Sequence, residues 1–171
     1  MRDKKNNQIL FITRAAVIAA AYVALTLLFA PISFNAIQVR ISEILTILPF
    51  FLPEAVPGLF VGCLLGNLIG GAVVPDIIFG SIATLIGAVG TYMLGRRRSP
   101  VWVATIPPIA ANTVIVPLVL YFGYGLKGST PAIILYYALT VFVGEVIACG
   151  VGGTLVAAVL RKIPSIRTPR S

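Results

Sequence analysis

The sequence contains no histidine and only five acidic residues among its 171. The absence of histidine excludes Ser-His catalytic triads and most zinc sites. Its two cysteines, Cys63 and Cys149, lie within apolar segments and are too few for a disulfide-stapled secreted fold. The stretch from Gly123 to Thr130 is superficially similar to a phosphate-binding loop but lacks the Gly-Lys-Ser/Thr order. The sequence therefore indicates no metal, no cofactor and no ATPase site.

Apolar residues fill most of the chain. They make up 58% of it, charged residues make up 11%, and the mean hydropathy is +1.02. In soluble proteins about a quarter of the residues are charged. A membrane-spanning helix takes about 20 residues, so six of them would use about 120. Because little then remains for a soluble catalytic domain, we expect an integral membrane protein that depends on a partner chain for any nucleotide hydrolysis.

The distribution of basic residues predicts the topology. Thirteen Lys and Arg residues give a net charge of +8, and most lie near the two ends of the chain or at Arg96 to Arg98. Because such residues gather in cytoplasmic loops, an even number of crossings separates each pair of these clusters. We therefore expect an all-α bundle of six transmembrane helices with both termini in the cytoplasm. The single transmembrane domain, residues 1–171, would contain helices at about 9–30, 41–53, 55–71, 76–95, 101–122 and 131–160.

Two other interpretations of these charges are less favoured. A cleaved secretory signal over residues 1–21 would explain the basic start, but the apolar stretch continues to Ala30, past the 7 to 15 residues of a signal core. A nucleic-acid surface would explain the positive charge, but the basic residues lie at helix ends without interleaved aromatic residues. We therefore expect contact with the lipid bilayer and none with nucleic acid.

Small residues recur at every fourth position in several of the predicted helices. Such ridges allow helix backbones to approach closely in lipid, where the hydrophobic effect contributes little to association. The third helix carries Gly58, Gly62, Gly66 and Gly70 on one side. The first helix carries two parallel ridges, Ala15 with Ala19, and Ala16 with Ala20 and Ala24. These ridges favour packing within the protein, and the flat alanine face could also dock a helix of another protein.

Few polar side chains fall inside the predicted spans. Ionisable groups there are costly unless they are paired or hydrated, and they mark candidate functional sites. Arg40 and Glu43 are at helical spacing, where they could pair with each other or line the mouth of a binding site. Glu145 has no charged neighbour in sequence, so it must find a cation, stay protonated or bind a ligand. The candidate substrate-binding residues are Arg40, Glu43, Asn67, Asn112 and Glu145.

Several sequence blocks resemble one family. Residues 37–49, IQVRISEILTILP, and residues 66–71, GNLIGG, resemble the QueT family, whose members are substrate-binding S components of energy-coupling factor (ECF) transporters assigned to queuosine precursors. The resemblance also includes Pro107-Pro108 with Asn112, and the pair Gly144-Glu145. It covers nearly the whole chain, and the block from Arg40 to Glu43 is its most specific part.

The resemblance implies a function and partners. S components are six-helix proteins of the bacterial cell membrane that bind a micronutrient near the outer face and have no enzymatic activity. They dock through small residues of the first helix, here Ala15, Ala16, Ala19, Ala20 and Ala24, onto a transmembrane coupling protein carried by two ATPase subunits. They are thought to topple in the membrane so that the site opens inward. The ligand implied is a 7-deazaguanine, such as queuine or its 7-aminomethyl or 7-cyano precursor.

The candidate residues are compatible with such a ligand. One carboxylate, Glu43 or Glu145, can accept two hydrogen bonds from the pairing edge of a 7-deazaguanine, and Asn67 and Asn112 can bind its other polar atoms. An aminomethyl precursor would give the second carboxylate a cationic partner, and a nitrile would not. An S component for a different vitamin and a proton-coupled secondary transporter using Glu145 remain as alternatives. An intramembrane enzyme is disfavoured because the chain lacks histidine and its carboxylates are isolated in sequence.

Overall fold

The computed structural model describes residues 2–30, 40–123 and 131–163. These segments are helical and contain no strand. The α-helices are α1 (Arg2–Leu28), α2 (Ala55–Ile69), α3 (Ser81–Arg96), α4 (Val101–Ala104), α5 (Ile106–Gly123), α6 (Pro131–Glu145) and α7 (Gly153–Leu160). A 3-10 helix, Ile41–Phe50, precedes α2, and two π-helical segments, Asp76–Gly80 and Val146–Gly152, precede α3 and α7.

Four stretches are long and apolar enough to cross a membrane: Lys4–Leu28, Asp76–Arg96, Val101–Phe122 and Ala132–Leu160. Two apolar helices are shorter, Ile41–Phe50 and Ala55–Ile69. Many large apolar side chains on the long helices face outward, including Leu28, Val114 and Leu155, each more than 60% exposed. An outward apolar surface of this kind is stable against lipid rather than water, which confirms the prediction of an all-helical membrane protein.

Glycines bring α1 and α2 together side by side. A Cβ atom on Gly58 would lie 2.7 Å from the carbonyl oxygen of Ala15, and one on Gly62 would lie 2.8 Å from the Cβ of Tyr22. Further along the same two helices, Gly66 faces Thr26. The helices therefore run in the same direction, from an end where Arg14 pairs with Glu54 at 2.8 Å to an end near Thr26 and Gly66. We call the first of these the Glu54 end of the bundle.

The 3-10 helix runs back through the protein interior between the longer helices. It was expected as a short or tilted helix over residues 41–53, and the structure ends it at Phe50. Pro49 lacks an amide hydrogen, and the Thr46 hydroxyl donates a hydrogen bond to the carbonyl of Glu43 at 2.6 Å, which competes with the regular helical pattern. Its buried face includes Ser42, Glu43 and Ile47. This short helix therefore places the Glu43 carboxylate in the centre of the bundle.

The two π-helical segments lie next to polar side chains. One begins at Asp76, and the other directly follows Glu145 and contains Cys149. Such segments are rare and occur often at functional sites because they rotate neighbouring side chains relative to a regular helix. In this protein each segment contributes a buried polar or thiol side chain to the interior, Asp76 in one and Cys149 in the other.

Candidate functional site

Arg40 is the centre of the first buried polar cluster. Its Nη2 atom donates to Asp76 Oδ2 at 2.9 Å and to Asn67 Oδ1 at 3.3 Å, and the Asn67 amide nitrogen donates to the backbone carbonyl of Asp76 at 3.3 Å. None of the three side chains is more than 5% exposed. Gly80 makes room for them, since a Cβ there would lie 2.7 Å from Asp76 Oδ1. The charge partner of Arg40 is therefore Asp76, and Glu43 forms no salt bridge with it.

Glu43 is the centre of a second cluster and is fully buried. Its Oε1 atom accepts a short hydrogen bond from the Tyr22 hydroxyl on α1 and another from the Thr84 hydroxyl on α3 at 3.2 Å. Among the described residues, its Oε2 atom has no hydrogen-bond partner. Two helices thus fix one oxygen of this carboxylate and leave the other available to a ligand.

Glu145 completes the second cluster from the other side of the bundle. It is 4% exposed, and its Oε2 atom accepts a hydrogen bond from the Cys149 thiol, one helical turn later, at 3.0 Å. One carboxylate oxygen from Glu43, one from Glu145 and the sulfur of Cys149 all lie within 4.8 Å of one another. These three groups could reach a common metal ion, a grouping that the sequence did not indicate.

Asn112 on α5 lies against both carboxylates. It is fully buried, yet neither its amide nitrogen nor its amide oxygen has a hydrogen-bond partner among the described residues. Arg40 Nη1 and Asp76 Oδ1 are likewise buried without partners there. Each such atom costs free energy, about 1–3 kcal/mol for a neutral group and more for a charged one. Their concentration in one region is typical of a binding site rather than of a core.

The charges of the two clusters do not balance. Arg40 is neutralised by Asp76, and at the Glu54 end Arg14 is neutralised by Glu54. Glu43 and Glu145 form no salt bridge with any Lys or Arg in the described part of the chain. The polar interior can therefore accept hydrogen bonds from several donors, and a positively charged group fits it better than a negative one.

The five residues proposed from the sequence fall into these two clusters. Arg40 and Asn67 lie in the first, and Glu43, Asn112 and Glu145 lie in the second. Sequence reasoning missed three partners that come from distant segments, Asp76, Tyr22 and Thr84. It also missed Cys149, which lies one helical turn from Glu145 and was interpreted only as an apolar residue. For Asp76 a signal was present in the sequence, since it is an acidic residue within an apolar stretch.

The five alanines of α1 divide into two sets. Ala19 is buried and Ala15 is half-buried, because their ridge packs against the glycines of α2. Ala16, Ala20 and Ala24 are exposed. The second ridge is therefore the one accessible from outside the protein.

A separate cleft of about 630 Å³ opens at the Glu54 end. Its walls include Leu10, Arg14, Phe50, Glu54 and Arg96. None of the five candidate binding residues lines it. The cleft and the two polar clusters are therefore separate features of the protein.

Comparisons with known proteins identify the family. A stretch of 77 residues is 35% identical to the protein named "Queuosine precursor transporter QueT" of Lactococcus lactis subsp. cremoris (strain MG1363), and covers 44% of this chain and 45% of that protein. The chain thus aligns with slightly less than half the length of this curated relative. No solved structure matches the chain. The sequence model of the family described as "QueT transporter" matches residues 12–162, which is most of the chain. The protein therefore belongs to the QueT transporter family.

Proposed function

We propose that this protein is the substrate-binding membrane subunit of an ECF-type importer and that it captures a 7-deazaguanine precursor of queuosine. The observation that carries the proposal is the cluster of Glu43, Glu145 and Asn112, which is buried and presents unpaired polar atoms inside a member of a transporter family. The name of the Lactococcus relative supports the choice of ligand. The chain itself would catalyse no reaction.

The two clusters offer complementary hydrogen-bonding groups to such a base. A 7-deazaguanine has N–H donors on its pairing edge and ring, and one carbonyl acceptor. The carboxylates of Glu43, Glu145 and Asp76 accept from donors, Arg40 Nη1 donates to an acceptor, and the Asn112 amide can do either. Hydrogen bonds to the charged groups would provide most of the selectivity for this ligand, because charge-assisted bonds are the stronger ones.

The proposal includes the topology and the partners. The chain would cross the membrane six times as one domain with both termini in the cytoplasm of a bacterium, and its Glu54 end would face inward. The exposed ridge of Ala16, Ala20 and Ala24 would contact the coupling protein, and two partner ATPases would supply the energy that topples the loaded subunit. Ala15 and Ala19, which pack against α2, would support this surface from behind.

Binding by the purified protein tests the proposal. Isothermal titration with 7-aminomethyl-7-deazaguanine should show saturable binding, and Glu145→Gln should weaken it about 10- to 100-fold, as expected for the loss of a hydrogen bond to a charged group. Glu54→Gln is a matched control, because it removes a buried carboxylate that lies outside both polar clusters. Absence of binding to any 7-deazaguanine would contradict the proposal.

A second candidate function is proton-coupled transport by this chain alone. It is suggested by Glu43 and Glu145, which have no cationic partner in the described residues. Carboxylates of this kind carry protons in secondary transporters. If the chain alone is such a transporter, proteoliposomes that contain it and no ATPase should accumulate the ligand in response to an inward proton gradient. The ECF proposal predicts no accumulation under these conditions.

A further inference from the structure

The second cluster brings two carboxylates close enough for one ammonium group to contact both. An ammonium nitrogen donates tetrahedrally, so two acceptors that are each about 2.8 Å from it lie about 4.6 Å from each other. A carboxylate oxygen of Glu43 and one of Glu145 lie within 4.8 Å of each other. A single ammonium nitrogen could therefore contact both carboxylates.

Asn112 supplies an independent observation. Its side chain is fully buried and lies close enough to both carboxylates to interact with them, yet neither of its polar atoms makes a hydrogen bond of regular geometry with a described residue. Its amide oxygen can accept a third hydrogen bond. A primary ammonium has three N–H donors, so one carboxylate oxygen from each glutamate and the Asn112 oxygen match them in number.

The neighbouring groups leave these acceptors to a ligand. Glu43 Oε1 is already bound by the hydroxyls of Tyr22 and Thr84, which leaves Oε2 for an incoming donor. The Glu145 carboxylate accepts a hydrogen bond from the weak thiol of Cys149, and the Asn112 amide lies beside it. Arg40 forms its salt bridge with Asp76 and none with either glutamate, so the two glutamates carry an excess of negative charge over their neighbours.

We propose that Glu43, Glu145 and Asn112 form a cradle for the ammonium group of the substrate, so that the protein selects amine-bearing 7-deazaguanines over neutral ones. This inference rests on the proposed function. The pairing edge of the base would then face the first cluster, where Arg40 Nη1 donates to the ring carbonyl and Asp76 Oδ1 accepts from the adjacent ring N–H. The unpaired atoms of both clusters would be used by one ligand.

The test compares two ligands that differ at the 7-substituent. The wild-type protein should bind 7-aminomethyl-7-deazaguanine about 10- to 100-fold more tightly than 7-cyano-7-deazaguanine. Glu145→Gln and Glu43→Gln keep the shape of the side chain and remove its charge. Each should weaken binding of the amine by a similar factor and change binding of the nitrile by less than about threefold. Glu54→Gln should leave the ratio of the two dissociation constants unchanged.

The outcomes separate this inference from the proposed function. Equal affinity of the wild-type protein for amine and nitrile would overturn the ammonium cradle and leave the binding of 7-deazaguanines intact. Binding of neither ligand would contradict the proposed function itself. Stabilisation by Zn²⁺ alone, lost on adding a chelator and in Glu145→Gln, would overturn the cradle and assign Glu43, Glu145 and Cys149 to a metal. The wild-type comparison decides the question even where a variant fails to fold.

Discussion

Removal of one partner of the Arg40–Asp76 salt bridge should destabilise the protein strongly. The pair is 2.9 Å apart, and its side chains are 5% and 0% exposed. Asp76→Asn keeps the size of the side chain but leaves the Arg40 guanidinium without a counter-charge. A buried charge that has lost its partner lowers the free energy of unfolding by about 3–5 kcal/mol. Arg40→Met should cost a similar amount, because it leaves the Asp76 carboxylate unpaired.

The double variant Arg40→Met/Asp76→Leu distinguishes charge pairing from packing. Replacing both members of a buried ion pair by apolar residues is often close to neutral, because neither charge must then be removed from water. The double variant should therefore unfold at a higher denaturant concentration than either single variant. It should still fail to bind the ligand, since Arg40 Nη1 and Asp76 Oδ1 would be gone.

Reversible unfolding in mixed micelles, titrated with sodium dodecyl sulfate and followed by circular dichroism, measures these differences. The double-mutant cycle consists of the wild-type protein, Arg40→Met, Asp76→Leu and the double variant, and its interaction free energy should be several kcal/mol in favour of the pair. Effects of the two single substitutions that add up in the double variant would refute the reasoning, because the residues would then act independently. An Asp76→Asn variant as stable as the wild-type protein would refute the reasoning as well.

Two further predictions concern the packing and outer surfaces of α1. Gly62→Ala should destabilise the protein by about 1–3 kcal/mol, because its new Cβ would lie 2.8 Å from the Cβ of Tyr22. Gly150→Ala, whose Cβ would lie 3.7 Å from its nearest neighbour, is the matched control, and equal thermal stability of the two variants would contradict the packing. Ala20→Trp, on the exposed ridge, should abolish uptake in cells while the purified variant still binds ligand. Normal uptake would remove this ridge from the partner surface.

The sequence predicted the fold class because its evidence is distributed along the whole chain. Uncharged apolar runs and the positions of basic residues are enough to predict an all-helical membrane protein. They do not determine local geometry. The 3-10 form of Ile41–Phe50 depends on Pro49 and on the side-chain hydrogen bond of Thr46, and the π-helical segments give no hydrophobic periodicity of their own.

The candidate site was predicted as a set of residues but not as an arrangement. A polar residue in an apolar helix is visible in sequence, and Glu145 stands out because no charged residue is near it along the chain. Its neighbours depend on how helices pack, and the partner of Arg40 is 36 positions away. Similarly, the sequence does not determine which alanine ridge of α1 faces the protein interior. In the structure, Ala15 and Ala19 face inward because they pack against glycines of α2.

A structure of the protein with 7-aminomethyl-7-deazaguanine bound tests the central claim most directly. The proposed function predicts the ligand in the bundle interior, with nitrogen atoms within about 3.2 Å of the Glu145 carboxylate and the Asn112 amide oxygen. The cradle further predicts that the nitrogen near Glu43 is the ammonium. A ligand bound elsewhere, for example in the cleft between Arg14 and Arg96 at the Glu54 end, would contradict the assignment of the site.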